Sequence, residues 1–147
     1  MRATGLDITR RGLLLAMLTV RLHADDAQEV WDLLTQLASA LSEGNPVQFL
    51  KFFDRTMVGY RTLEADVTAL LSQAEVQSSI EVLSDEGNGA TRMVELDWFL
   101  QIVEQQDAAG STRRRERVRC RLAKQGKKWL VTGLDPLALF APPRPAR

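Results

Sequence analysis

The spacing of apolar residues changes along this chain, and each change marks a boundary. Residues 13–18 are apolar at every position. From 26 to 42 the apolar residues fall at helical spacing: Val30, Leu34, Leu37 and Leu41, with Trp31 and Ala38 widening the stripe. Gly44 ends that helix, Asn45 can cap the next, and Pro46 suits its first turn. The second helix carries Val47, Phe49, Leu50 and Phe53. Thr62 is placed to cap a third, whose stripe is Leu63, Val67, Leu70 and Leu71.

From residue 76 the period is two. The pattern predicts strands over 76–84, 90–104, 113–123 and 128–134. They are joined by a turn at 85–89, a polar loop over 105–112 and a tight turn at Gln125-Gly126-Lys127, and Asp135-Pro136 ends the last strand. In the long strand Val94, Leu96, Trp98, Leu100 and Ile102 share one face, and Glu95, Asp97, Phe99 and Gln101 the other. In the next strand Val118, Cys120 and Leu122 alternate with Arg115, Arg117, Arg119 and Arg121. Helices followed by an antiparallel meander give an α+β domain, with three helices on one face of a sheet of about four to five strands. The domain runs over 25–141. Residues 142–147, with three prolines, read as a disordered tail.

The apolar run near the start has a different meaning. Thr9-Arg10-Arg11 precedes nine apolar or small residues, 12–20, and Leu22-His23-Ala24 offers a cleavage point before Asp25. Residues 1–24 therefore read as an export signal. A transmembrane helix needs about 20 apolar residues, so no stable membrane insertion is expected once the signal is gone. The arginine pair is similar to the twin-arginine pattern, with Leu15 where that pattern has lysine, so the general secretory route stays open. A competing amphipathic first helix lacks a polar face over 13–18. The expected location is periplasmic or secreted, with Asp25 as the first mature residue.

Removing that segment changes the charge and the chemistry. The 19 basic and 19 acidic residues balance; residues 1–24 hold four of the former and one of the latter, leaving a net charge of −3. Such a chain is no general nucleic-acid binder. His23, the only histidine, leaves with the signal, which excludes a Ser-His-Asp triad and histidine-ligated metal. A single cysteine, Cys120, allows neither an intrachain disulfide nor a thiolate metal cluster. No glycine-rich phosphate loop opens a helix, so neither cofactor nor metal is implied.

The element order, the strand Met93-Val94-Glu95-Leu96-Asp97-Trp98, and the ending Lys128-Trp129-Leu130-Val131 with Leu139-Phe140 resemble the nuclear transport factor 2-like superfamily, also called SnoaL-like or cystatin-like. The resemblance covers about residues 26–141. It implies a strongly curved sheet folded round the helices to make a conical pocket. Phe49, Phe53, Tyr60, Leu71, Trp98, Val118 and Trp129 would line it. It also implies a homodimer through the outer sheet face, with Phe99 and Met93 as apolar contacts. The superfamily includes isomerases, dehydratases, cyclases and non-catalytic binding modules, so it does not select a function.

Within that frame Asp54 and Tyr60 follow the second helix near the expected cone mouth and could act as base and donor. The simpler reading is a half-buried tyrosine with its hydroxyl in water. Parity turns Glu116 inward, where burial would raise its pKa, or leaves it wet at a frayed strand end. Cys120 and the three tryptophans lie on apolar stripes and read as core. Arg115, Arg117, Arg119 and Arg121 form an anion-binding strip, a protein interface, or a face neutralised across the hairpin, with Asp97 meeting Arg119 or Arg121 and Glu95 meeting Arg121 or a neighbour. The leading expectation is an exported, non-enzymatic module that binds a small apolar ligand or another protein. The alternatives are a pocket enzyme using Asp54, Tyr60 or Glu116, and an accessory subunit docking through the arginines.

Overall fold

The structure, a computed structural model, describes residues 25–106 and 110–145; the export segment lies outside them. Helix α1 covers 25–42, and its seam of Val30, Leu33, Leu34, Leu37, Ala40 and Leu41 is buried. Trp31 departs from expectation: it sits on the flank of the seam and is 53% exposed. Helix α2, Pro46–Leu50, is capped by Asn45, whose side chain accepts from the Gln48 amide. It stops before Phe53. The backbone of 52–54 turns to the sheet instead, where the Val131 amide donates to the Phe52 carbonyl and the Asp54 amide to the Val131 carbonyl, each at 2.8 Å. Helix α3, Tyr60–Gln73, starts after Gly59 and not at Thr62. Gly59 has φ +83°, and a Cβ there would collide with the Leu137 side chain. The chain reverses where only glycine fits, which sets the helix start two residues upstream of the expected cap.

Four antiparallel strands follow in the order β1-β2-β3-β4: Ala74–Gly87, Thr91–Glu104, Ser111–Gln125 and Lys128–Asp135. The sheet is curved and unclosed, with the three helices against its concave side. A 3-10 turn, Leu137–Phe140, ends the domain. β1 is longer than its pattern predicts because a bulge at Leu83 breaks the alternation. Beyond the bulge Asp85 turns to the face that carries Arg92, whose guanidinium donates two hydrogen bonds to the carboxylate, each at 2.9 Å. The hairpin turn then falls at Asn88, whose side chain accepts from the Ala90 and Thr91 amides. β3 begins at Ser111, two residues earlier than expected, and this moves the register. Asp97 faces Arg117, two residues from the nearer of its expected partners, and Glu95 faces Arg119, a neighbour of Arg121 on the same face as expected.

The tail also differs from its composition. Gln73 holds Arg144 by both backbone groups, donating to its carbonyl at 3.1 Å and accepting from its amide at 3.0 Å. The Arg144 guanidinium donates to Glu104 and Gln106. Residues 142–145 are therefore held against α3 and the end of β2, because the arginine between the prolines supplies hydrogen bonds that prolines cannot. Residues 146–147 lie outside the described residues. Among the described residues no helix is long and apolar enough to cross a membrane.

The core lies in the concave side of the sheet. Val94, Leu96, Trp98, Leu100 and Ile102 meet Val118, Cys120, Leu122 and Val131 under the seams of α1 and α3, and all nine are buried. A row of rings runs through it: Trp98 edge-on to Phe140 at 5.0 Å, Phe140 to Phe49 at 5.6 Å, and Phe49 to Phe53 at 5.0 Å. The Trp98 indole N–H donates to Ser78 Oγ at 2.8 Å, so the most buried polar atom of the ring system is satisfied. Ser78→Ala leaves that N–H unpaired and should cost about 1–3 kcal/mol in urea unfolding. An unchanged midpoint would mean that the hydroxyl does not anchor the indole.

Candidate functional site

The expected pocket residues do come together. Phe49, Phe53, Leu71, Trp98, Val118 and Trp129 are all buried, and Tyr60 is half-buried against the same cluster. Phe49 meets Phe53 ring to ring, and Trp98 reaches Phe49 through Phe140. Trp129 lies at the margin, its indole N–H donating to Glu29 at 3.1 Å with the Lys124 ammonium 5.8 Å from its ring. A cleft of about 450 Å³ opens outside the cone, between α1 and β1, and none of these seven residues lines it.

The polar candidates are separated. The Asp54 carboxylate accepts from the Thr56 hydroxyl at 2.7 Å, the Thr56 amide at 2.8 Å and the Gln125 side-chain amide at 2.9 Å. The Thr56 bonds, with Gln125, hold its pKa below the ordinary carboxylate value. A carboxylate so committed is a weak base near neutral pH. Tyr60 opens α3, and among the described residues no hydrogen bond joins it to Asp54. Glu116 is exposed on β3 opposite Trp98. It lies nine positions from the Gln125 that Asp54 touches, about 30 Å along the strand. The three groups do not converge. Burial pushes the Cys120 thiol up to about 12, which makes it inert. Among the described residues no group of three or more His, Cys, Asp or Glu side chains is placed to hold a metal.

The outer face is more ordered. Arg115 makes three bonds to Asp97, at 3.0, 3.1 and 2.5 Å, and Arg119 lies 3.7 Å from Glu95. The Arg115 bonds and charge lower the Asp97 pKa. Among the described residues no carboxylate lies within 4.0 Å of Arg117 or Arg121. Phe99 is half-buried between Ser79 and Arg115, and Met93 is half-buried opposite Arg121.

Two side chains escaped the sequence reading. Arg114 shares the inward parity of Val118, and one of its guanidinium nitrogens donates to the carbonyls of Leu139 and Ala141 at 2.9 and 2.5 Å. Partial burial lowers its pKa. The signal was present: three consecutive arginines on a strand must send one inward. The Asp85–Arg92 pair was hidden because the bulge that aligns it has no residue signature.

No family profile and no curated protein sequence matches the chain. Solved structures do. A putative scytalone dehydratase from Novosphingobium aromaticivorans superposes with a TM-score of 0.71 at 6% identity, over 78% of this chain and 85% of its own. A Mycobacterium tuberculosis protein of unknown function gives 0.67 at 14% identity, over 78% and 72%. A nuclear transport factor 2-like superfamily protein from Salmonella enterica gives 0.64 at 11% identity, over 76% and 89%. The chain has the nuclear transport factor 2-like fold. At these identities the likeness carries architecture alone, and nuclear transport factor 2-like domains host unrelated functions.

Asp54 gives this site a pH signature. A carboxylate whose folded pKa is depressed contributes stability above its unfolded pKa and loses it as pH falls through the folded value. The stability difference between the native chain and Asp54→Asn should be constant between about pH 5 and pH 8 and shrink below about pH 4. Urea unfolding across that range reads it; a difference that stays flat into strong acid would contradict the assignment.

Proposed function

We propose that this chain is an exported, non-enzymatic interaction module that works through the outside of a nuclear transport factor 2-like domain. The observation that carries this reading is the aromatic packing of Trp98, Phe140, Phe49 and Phe53 where a ligand of this fold would sit. An isomerase, dehydratase or cyclase needs a cavity on which at least two polar groups converge. Here Asp54 is committed to Thr56 and Gln125, and Glu116 lies far along β3. The leader-like pattern of residues 1–24 supports export.

The outer sheet face supports self-association. β2 presents Glu95 and Asp97 as an acidic column, and beside it β3 presents Arg113, Arg115, Arg117, Arg119 and Arg121 as a basic one. A two-fold axis parallel to the strands, between β2 and β3, sets each acidic column over the partner's arginines. An axis across the strands would set acid on acid. The charge pattern therefore favours the first arrangement, with Phe99 and Met93 as its apolar centre.

Sedimentation equilibrium should show a dimer that weakens with salt. The double change Arg117→Glu with Arg119→Glu should abolish it without altering the circular dichroism, and so should Glu95→Lys with Asp97→Lys. Mixing the two altered chains should restore association, because their columns are again complementary. A native chain that stays monomeric, or a mixture that does not associate, would sink this arrangement.

A further inference from the structure

Two of the large exposed apolar side chains, Trp31 and Val82, gather at one place, and a third, Leu83, follows Val82 in the chain. Trp31 on α1 is 53% exposed, and Val82 and Leu83 on β1 are 36% and 42% exposed. Trp31 and Val82 flank the cleft of about 450 Å³ between α1 and β1, together with Leu34, Ala38, Ser39 and Ile80. That volume falls in the usual range for a bound ligand, about 300–1,000 Å³.

The wall of this cleft is a sheet edge. Among the described residues no strand lies beyond β1. The Ser78 N–H points away from β2 and donates to Ser42 Oγ at 3.1 Å. By strand alternation the N–H and C=O groups of Ile80 and Val82 point the same way, into the cleft alongside α1. Natural edges are commonly protected by lysine, proline or a bulge; β1 has no lysine or proline and its bulge comes only at Leu83. Among the described residues no backbone group pairs with the edge at Ile80 and Val82.

Charge selects the occupant. The two elements that flank the cleft, residues 25–43 and 74–87, carry nine carboxylates and no lysine or arginine; Glu43 lines the cleft itself, and Glu75 and Glu81 lie on the outer face of β1. Asp26, Glu29 and Asp85 have basic partners on other elements; among the described residues the other six have none within 4.0 Å. A second copy would bring the same acidic strand to the edge and be repelled. A basic strand would be attracted.

We propose that the α1–β1 cleft takes an extended peptide of alternating apolar and basic residues from another protein, adding it as a fifth strand beside β1. Its backbone pairs with Ile80 and Val82, its apolar side chains pack on Trp31, and its basic side chains, which alternate to the outer face, meet Glu81. This edge is distinct from the outer face of the proposed dimer, so the two can fail separately.

The test uses the full chain and a fluorescein-labelled peptide, acetyl-Lys-Val-Arg-Val-Lys-Val-Arg-amide. Anisotropy should show saturable binding that is at least about ten-fold weaker when glutamate replaces every basic residue, and similarly weaker for Trp31→Ala. The peptide should slow amide exchange at Ile80 and Val82. It should also shift the emission of Trp31 to the blue, whereas Trp98 and Trp129 are already buried. Equal binding of the acidic peptide, or binding without protection of those two amides, would overturn the proposal. So would protection of both amides in the peptide-free chain, which would mean that a second copy or residues 1–24 hold the edge.

Discussion

The arrangement of this domain depends on how Trp98 is held inside the curve of the sheet. Its indole N–H is anchored to Ser78 on β1, and its ring meets Phe140 from the 3-10 turn. Phe140 meets Phe49 of α2, Phe49 meets Phe53, and the segment bearing Phe53 is bonded to β4 at Val131. One row of contacts thus joins β1 to β4 across the concave side. Arg114 holds the end of the row in place by bonding the Leu139 and Ala141 carbonyls, which fixes the turn that delivers Phe140. The buried aromatic area and the satisfied indole act together, because a Trp without its hydrogen-bond partner would be a poor core residue.

That packing moves the chemistry outward. With aromatic rings where this fold can hold a ligand, the remaining features are on the surface, and there the charge is segregated by element. α1 and β1 are acidic, β2 presents two acids to the outer face, and β3 presents arginines. Neighbouring columns of opposite sign neutralise one another only in part: Arg115 and Arg119 find Asp97 and Glu95, and Arg117 and Arg121 do not find carboxylates among the described residues. Segregation of this kind encodes partner choice and orientation more than stability.

The sequence was legible where one period dominates. The alternation of β2 and β3 identified every buried residue of the inner face, and the seam of α3 was read correctly; in α1 the stripe included the exposed Trp31 and missed the buried Leu33 and Ala40. It misled where backbone geometry decides. The Leu83 bulge, the left-handed Gly59 and the early start of β3 leave no periodic trace; the helix cap lies three residues before Thr62, and the partner of Asp97 is two residues from the nearer one expected. The candidate site was legible as a set and not as an arrangement. Parity and helix stripes brought Phe49, Leu71 and Trp98 together, but whether they surround a space or fill it depends on Phe140, which arrives from a turn forty residues downstream of Trp98. Asp54 looked like a free base because its partners, Thr56 and Gln125, come from a local turn and a distant hairpin.

A filled interior leaves no room for benzene. An apolar ligand that enters a cavity raises the unfolding temperature through its affinity for the folded state. Saturating benzene should leave the native chain's Tm unchanged and raise that of Phe140→Ala, where removing the ring opens space beside Trp98. A comparable rise for the native chain would show that the cone already holds a ligand-sized cavity and would contradict this account.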